Sequence, residues 1–244
     1  MRPPRFFISP GQAIGNRISI TGEDVRHIAL VLRMKAGDEL LLCDGLGMEY
    51  RVMLAGISRA EIQAEIKSQA RQELREPRIM LCQGLPKSDK MDLIVQKATE
   101  LGAAAIVPLV TERTIVKVRD EEKRIARWQK IAREAAMQSN RPDIPEVGAI
   151  VSFKDFLRTP ISEPETLLLL PWEEGIEPLK DVLRRNIAVK RVFVLIGPEG
   201  GFSSSEAASA QERGFNLVSL GRNILRTETA AIAALSMIGY EYGI

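Results

Sequence analysis

Two short stretches of this chain hold residue types and spacings that can build a ligand site. In the first, Val192-Phe193-Val194-Leu195-Ile196 runs into Gly197-Pro198-Glu199-Gly200-Gly201. The glycines let the backbone take positive φ or come close to something bulky. In the second, Leu217-Val218-Ser219-Leu220-Gly221 leads into Arg222-Asn223-Ile224-Leu225-Arg226. Each stretch reads as an apolar strand, a glycine turn and the start of a helix. Two such units in succession make a crevice at the carboxyl ends of parallel strands. A phosphate-cradling loop needs G-x-x-x-x-G-K-[ST], and the lysine does not follow Gly200-Gly201. Pro198 and Glu199 also break the dinucleotide fingerprint G-x-G-x-x-G, and the Glu199 carboxylate would repel a pyrophosphate. The first loop therefore suits a ligand without phosphates, unless it only joins strand to helix.

The elements that must hold these turns can be read around them. Ser203 with Glu206 is a capping box, so a helix begins there and stops at Gly214. Thr227 is the predicted N-cap of an Ala-rich helix from Glu228 to about Ile238. Upstream, from Arg78 onward, strands and helices alternate. Ile79–Cys82 and Ala105–Val110 read as strands, Ser88–Leu101 and Asp120–Ser139 as amphipathic helices, then Leu167–Leu170 as a strand and Pro178–Arg185 as a short helix. Such alternation means a parallel sheet covered by helices. From Phe6 to about Ala70 the pattern is different: Arg17–Ile20, Glu39–Cys43, Glu49–Leu54 and Glu61–Ile66 are short strands, with one helix capped by Thr21 and carrying Val25, Ile28, Ala29 and Leu32 at helical spacing. Strands at that density suggest a small β-barrel. The polar passage Gln69–Pro77 separates the two regimes, which sets domains at 1–72 and 73–244.

Composition narrows the class. With 45% hydrophobic and 27% charged residues, the balance is that of an ordinary globular protein. No apolar run reaches the length of a membrane span, and Met1-Arg2-Pro3-Pro4-Arg5 lacks the core of a signal peptide, so the expected compartment is the cytoplasm. Cys43 and Cys82 each sit inside an apolar run, as buried thiols do; with one histidine and no CxxC, no metal site is expected. Residues 1–72 carry ten Lys and Arg against eight Asp and Glu, while the remainder balances. Arg2, Arg5 and Arg17 precede the first acid, Glu23, and form a local basic patch, short of what binding nucleic acid by charge alone would need.

The two turns, read as Leu195–Ser203 and Leu220–Ala230, resemble the signature motifs of the bacterial small-subunit ribosomal RNA uridine-N3 methyltransferases, a branch of the SPOUT superfamily. Lys87–Asp92, Gln96–Gly102 and Glu134–Arg141 are similar to further landmarks of that family, so the resemblance covers nearly the whole chain. Asn140 departs from the pattern, in which glycine is commoner. His27–Asp38 resembles the segment that opens the family's PUA-like RNA-binding domain, which implies RNA contact by Arg33 and Lys35; His27 itself is expected at the surface or as a cap.

The resemblance implies a PUA-like β-barrel at 1–72 followed by a parallel α/β sheet with a deep trefoil knot at 73–244. It implies a homodimer that acts on 16S ribosomal RNA within the small subunit, with S-adenosylmethionine as methyl donor. Carried over by position, the cofactor contacts are Leu169, Leu170, Pro171, Gly197, Pro198, Glu199, Gly200, Gly201, Leu220, Gly221, Ile224, Leu225 and Arg226. Methylation at N3 needs a charge stabiliser and a proton acceptor: Arg226 and Arg141 are candidates for the first, Glu199 and Glu228 for the second. Arg2, Arg5, Arg17, Arg33 and Lys35 would position RNA phosphates. Two alternatives stay open on sequence: a relative of the same fold that methylates another RNA, including a ribose 2′-oxygen, and a non-catalytic ribosome-assembly factor that binds RNA.

Overall fold

Alternating and uninterrupted apolar runs fold into two different sheets, each the centre of its own unit. In this computed structural model the described residues are 3–72, 76–117, 119–161 and 163–244. One unit comprises Met1–Leu74 with Ala136–Ile144, the other Arg75–Ala135 with Pro145–Ile244.

The first unit contains β1 (Arg5–Phe7), β2 (Ala13–Ile14), β3 (Arg17–Thr21), β4 (Glu39–Cys43), β5 (Met48–Ile57) and β6 (Glu61–Arg71), in the order β1-β4-β5-β6-β3-β2. All neighbours are antiparallel except β1 and β4. Period-two alternation in β3 and β6 turns Ile18, Ile20, Ile62 and Ala64 inward, where they meet Leu40, Val52 and Leu54. Register shifts at Arg51/Val52 and Leu54/Gly56 bend the long β5–β6 pair around this core, as expected of a small PUA-like barrel.

The helix of this unit differs from the expected one. Gly22, at φ 80, occupies the N-cap position in place of Thr21, and α1 (Glu23–Arg26) passes directly into a π-helical turn over His27–Val31. Val25 and Ile28 are buried as their spacing predicts. Leu32 is not: the wider π turn rotates it outward to 40% exposure, beside the exposed Leu30 and Val31. Asn140, in the same unit, has φ 58, a left-handed conformation that glycine or asparagine adopts readily, which accounts for its place in a pattern that favours glycine.

The second unit holds β7 (Arg78–Gly84), β8 (Ala103–Val110), β9 (Glu146–Val147), β10 (Val151–Ser152), β11 (Thr166–Pro171), β12 (Glu177–Pro178), β13 (Arg191–Ile196) and β14 (Asn216–Ser219). They form a wholly parallel sheet, ordered β10-β8-β7-β13-β11-β14-β12 with β9 also on β8. Its central strands are buried along most of their length, which is why Leu167–Leu170 and Val192–Ile196 read as continuous apolar runs.

The helices are α2 (Lys90–Glu100), α3 (Glu121–Gln138, whose last turn belongs to the first unit), α4 (Phe153–Arg158), α5 (Leu179–Arg185), α6 (Ser204–Glu212) and α7 (Thr227–Tyr242). α2 and α3 start later than predicted because Ser88 and Asp120 take φ of 55 and 49, outside right-handed helical space. α4 and α6 share a core with Cys82, Leu168, Leu170 and Leu195, while α2 and α5 pack on α7, which lies against β7 and β13. Register places Gln83 beside Ile196 and Pro171 beside Val218. The carboxyl ends of β7, β13, β11 and β14 therefore converge at one end of the sheet. No helix among the described residues is long and apolar enough to cross a membrane.

Candidate active site

The first turn follows β13 and is closed by its own backbone. Gly201 N–H donates to the Pro198 carbonyl at 2.9 Å, Gly201 has φ 66, and a Cβ on Gly197 would lie 2.9 Å from the Gly201 carbonyl carbon. Only glycine fits at Gly197 without moving that backbone. The Arg113 guanidinium donates to the Gly200 carbonyl at 2.7 Å. Beyond the turn, the predicted capping box is formed: Ser203 Oγ accepts from Glu206 N–H, and the Glu206 carboxylate accepts from Ser203 N–H. Glu206 also accepts from Glu112 N–H at 2.8 Å, and Ser203 Oγ donates to Glu112 at 2.6 Å, so the 111–114 loop and the turn brace one another.

Glu199 projects from this turn. Its carboxylate accepts from Lys87 N–H at 3.0 and 3.2 Å and pairs with Lys90 Nζ at 3.1 Å. Burial opposes its charge, but hydrogen bonds from its own backbone, from Lys90 and from the Lys87 amide outweigh that and hold its pKa below the ordinary value of 4.5. Lys90 is pushed upward in turn, chiefly by its hydrogen bond to Glu199. Lys90 also lies 3.3 Å from Glu228 Oε2, an ion contact without hydrogen-bond alignment that leaves that buried oxygen with no hydrogen-bond partner.

The second turn, after β14, is held more lightly. Ser219 Oγ accepts from Gly221 N–H at 3.2 Å and donates to the Gly221 carbonyl at 3.1 Å, while Gly221 has φ 128. Arg222, Gly221 and Asn223 are exposed, and Ile224 is 83% exposed. The expected cap shifts by one residue: Arg226 occupies the N-cap position in extended conformation, and Thr227 is the first residue of α7. The Thr227 hydroxyl donates instead to the Gly197 carbonyl in the first turn, at 2.6 Å.

Between these turns and the segment after β11 is a cavity of about 390 Å³. Every predicted cofactor residue lines it except Leu169, Leu170 and Gly200. Leu169 and Leu170 are fully buried inside β11, and the Gly200 carbonyl is turned to Arg113. Of the catalytic candidates, Arg226 and Glu199 are on the wall; Glu228 is in the first turn of α7 behind Lys90. Arg141 belongs to the other unit, where it pairs with Asp143 at 2.8 Å.

Among the basic residues expected to meet RNA, Arg17, Arg33 and Lys35 are exposed. Arg5 faces inward, 10% exposed and paired with Glu49 at 2.7 Å, so its charge is matched within the fold. Arg2 lies outside the described residues. His27 is exposed, its ring edge-on to Phe6.

Residues 73–239 match a family model described as an RNA methyltransferase domain, and residues 20–67 match an RNA methyltransferase PUA domain. The ribosomal RNA small subunit methyltransferase E of Bacillus subtilis is 35% identical over 91% of this chain and 90% of its own length. The chain belongs to the ribosomal RNA small subunit methyltransferase E family. The family member from Aquifex aeolicus is also 35% identical, over 92% of this chain and 94% of its own. A crystal structure of the methyltransferase E from Neisseria gonorrhoeae, bound to S-adenosyl methionine, superposes with a TM-score of 0.88 at 32% identity, covering 98% of both chains.

Sequence reasoning missed several residues at the cavity of this family member. Trp172 and Glu173 line it, Trp172 N–H donating to the Val218 carbonyl at 2.9 Å so that the chain after β11 stays alongside β14. Lys90 and Phe202 line it as well, as does Thr227, which the sequence marks only as a cap. Lys90 lies within the Lys87–Asp92 stretch, and the two acids Glu199 and Glu228 are the sequence signal that a cation is needed beside them. Among the described residues no group of His, Cys, Asp or Glu side chains is arranged to hold a metal ion.

Proposed function

We propose that this chain transfers a methyl group from S-adenosylmethionine to N3 of a uridine in small-subunit ribosomal RNA. The observation that carries this reading is the cavity of about 390 Å³ at the carboxyl ends of β11, β13 and β14, walled by two glycine turns and by Leu220, Ile224 and Leu225, with the ionised Glu199 on its rim. The residues present fit the cofactor. The volume suits a small-molecule site; a Cβ on Gly197 would press on the turn that cradles the ligand; and the 83% exposed Ile224 offers apolar surface for a ring to cover. Lys90, the cation that would attract phosphate, is neutralised by Glu199 and Glu228. Glu199 then leaves negative potential for a sulfonium.

When bound, S-adenosylmethionine supplies an electrophilic methyl carbon and a neutral thioether leaving group. The chain's own residues do the rest. The backbone of Gly197–Gly201 and of the 220–225 turn would hold the adenine edge, with Leu220 and Leu225 against its faces. Arg226, on the wall, would stabilise negative charge on a uridine oxygen as the N3 proton leaves, worth about 3 kcal/mol in a site closed to water. Glu199 would accept that proton: it is ionised at neutral pH and therefore ready, though its lowered pKa limits its basicity. Glu228 would hold Lys90 in place. Orienting acceptor and donor lowers the barrier by about 7–11 kcal/mol in well-aligned cases.

N3 lies on the Watson–Crick edge, so the uridine must be unpaired when it reacts. We assign RNA phosphate contacts to the exposed Arg17, Arg33 and Lys35. The reading includes a cytoplasmic homodimer in which Arg141 serves the substrate side.

The test is transfer of labelled methyl from S-adenosylmethionine to small ribosomal subunits lacking their native modification, with nucleoside analysis. The expected product is 3-methyluridine. Ribose methylation, or transfer only to another RNA, would overturn the substrate assignment, and absence of cofactor binding would overturn the enzymatic reading.

A further inference from the structure

We propose that Gln83 and Thr227 form a polar lock that fixes the two cavity turns to each other and thereby sets affinity for the methyl donor. The proposal rests on the reading of the cavity as a methyl-donor site, and neither residue's role follows from that reading alone.

Gln83 is fully buried near the end of β7. Its Nε2 donates to the Gly84 carbonyl at 2.8 Å and to Thr227 Oγ1 at 2.9 Å, with the Gly197 carbonyl at a longer 3.4 Å. Thr227, 4% exposed, has a single hydroxyl proton, which goes to the Gly197 carbonyl at 2.6 Å. The result is a directional relay: amide of β7 to hydroxyl of α7 to carbonyl of the first turn. It joins residues 144 apart in sequence. Thr227 follows Arg226 directly, so the relay also sets where the second turn ends.

Gln83 is an odd choice for mere filling. Its Oε1 is buried and makes no hydrogen bond, a penalty that an apolar side chain of the same length would avoid. What the amide supplies is donors aimed at two other segments. Gly84 shows that the joint has no slack: a Cβ there would lie 2.6 Å from Pro198 Cδ and 2.7 Å from Pro198 N. The first turn is thus pressed against β7 while the relay pins α7 to it. Among the described residues the second turn has only the Ser219–Gly221 bonds of its own, so its placement opposite the first depends on Thr227.

Gln83 and Thr227 are positioning residues in this scheme. The test compares the wild-type chain with Thr227→Val, which keeps shape and loses the hydroxyl, Thr227→Ser, which keeps the hydroxyl, and Gln83→Met. S-adenosylmethionine affinity is read by calorimetry, KM and kcat by methyl transfer, and turn mobility by amide hydrogen exchange of the ligand-free protein. Thr227→Val should weaken binding and raise the donor KM by about tenfold or more, with kcat at saturation within about threefold. Exchange should quicken in 197–201 and 220–226 while β11 stays protected. Thr227→Ser should return donor affinity to within about threefold of wild type, and Gln83→Met should fall between the two.

Unchanged affinity and exchange in Thr227→Val would overturn the lock, as would a Ser variant as weak as the Val variant. If Thr227→Val does not fold, Gln83→Met decides by the same measurements. Should the wild-type chain bind no S-adenosylmethionine while Thr227→Val still loosens both turns selectively, the lock stands as a structural joint and the methyl-donor reading falls.

Discussion

The two turns that face each other across the cavity are built on opposite plans. The Gly197–Gly201 turn is braced on every side: Gly84 presses on Pro198, Arg113 holds the Gly200 carbonyl, Lys87 and Lys90 hold Glu199, and Ser203 and Glu206 tie its exit to the 111–114 loop. The turn from Ser219 to Arg226 has a serine–glycine bond pair of its own and an isoleucine left in solvent. A braced turn is preorganised and contributes little ordering cost when a ligand arrives; a lightly held one has more to order, offset by the apolar surface a ligand covers. The same strand-glycine-helix pattern in sequence therefore conceals one heavily braced wall and one lightly held wall.

The sharpest way to break this contrast is to add one methyl group to each side. Gly84→Ala drives a Cβ into Pro198 and should destabilise the chain by about 3 kcal/mol. Gly221→Ala meets nothing within 4 Å and suffers only from its φ of 128, so about 1–2 kcal/mol is expected. Differential scanning calorimetry of both variants checks the order, and equal losses would mean that the first turn is not tightly packed.

Ile224→Ser tests the lightly held wall from the other direction. Since Ile224 is 83% exposed, stability should hold within about 0.5 kcal/mol. Donor affinity should fall about tenfold, because apolar surface that the ligand would cover is gone. Isothermal calorimetry beside a thermal melt separates the two effects, and a variant that loses stability while keeping affinity would reverse the assignment.

The smallest expected effect is electrostatic. Glu199 has a folded-state pKa below its ordinary 4.5, so its contribution to stability is present above that value and is lost as pH falls through the lower folded value. Glu199→Gln should therefore lose less melting temperature than wild type between about pH 6 and about pH 3. An identical acid slope in the two proteins would show that the brace around Glu199 carries no charge-dependent stability.

Much of this protein is written in stretches of a few residues. The apolar runs at Leu167–Leu170 and Val192–Ile196, the capping box at Ser203 and Glu206, and the glycines at Gly197, Gly201 and Gly221 are local signals, since strand burial, capping and positive φ depend on neighbours in the chain. Those signals were enough for the parallel sheet, the position of both turns and the family. They misplaced what depends on backbone detail: the Gly22 cap in place of Thr21, the π turn that exposes Leu32, and the one-residue shift that makes Thr227 part of α7.

Only the tertiary structure decided which groups meet. Arg113 reaches Gly200 across 87 residues, Lys87 reaches Glu199 across 112, and Gln83 reaches Thr227 across 144. The physical reason is that a hydrogen bond specifies a distance and an angle but no sequence separation, so its partners become visible only when parallel strands bring their carboxyl ends to one place.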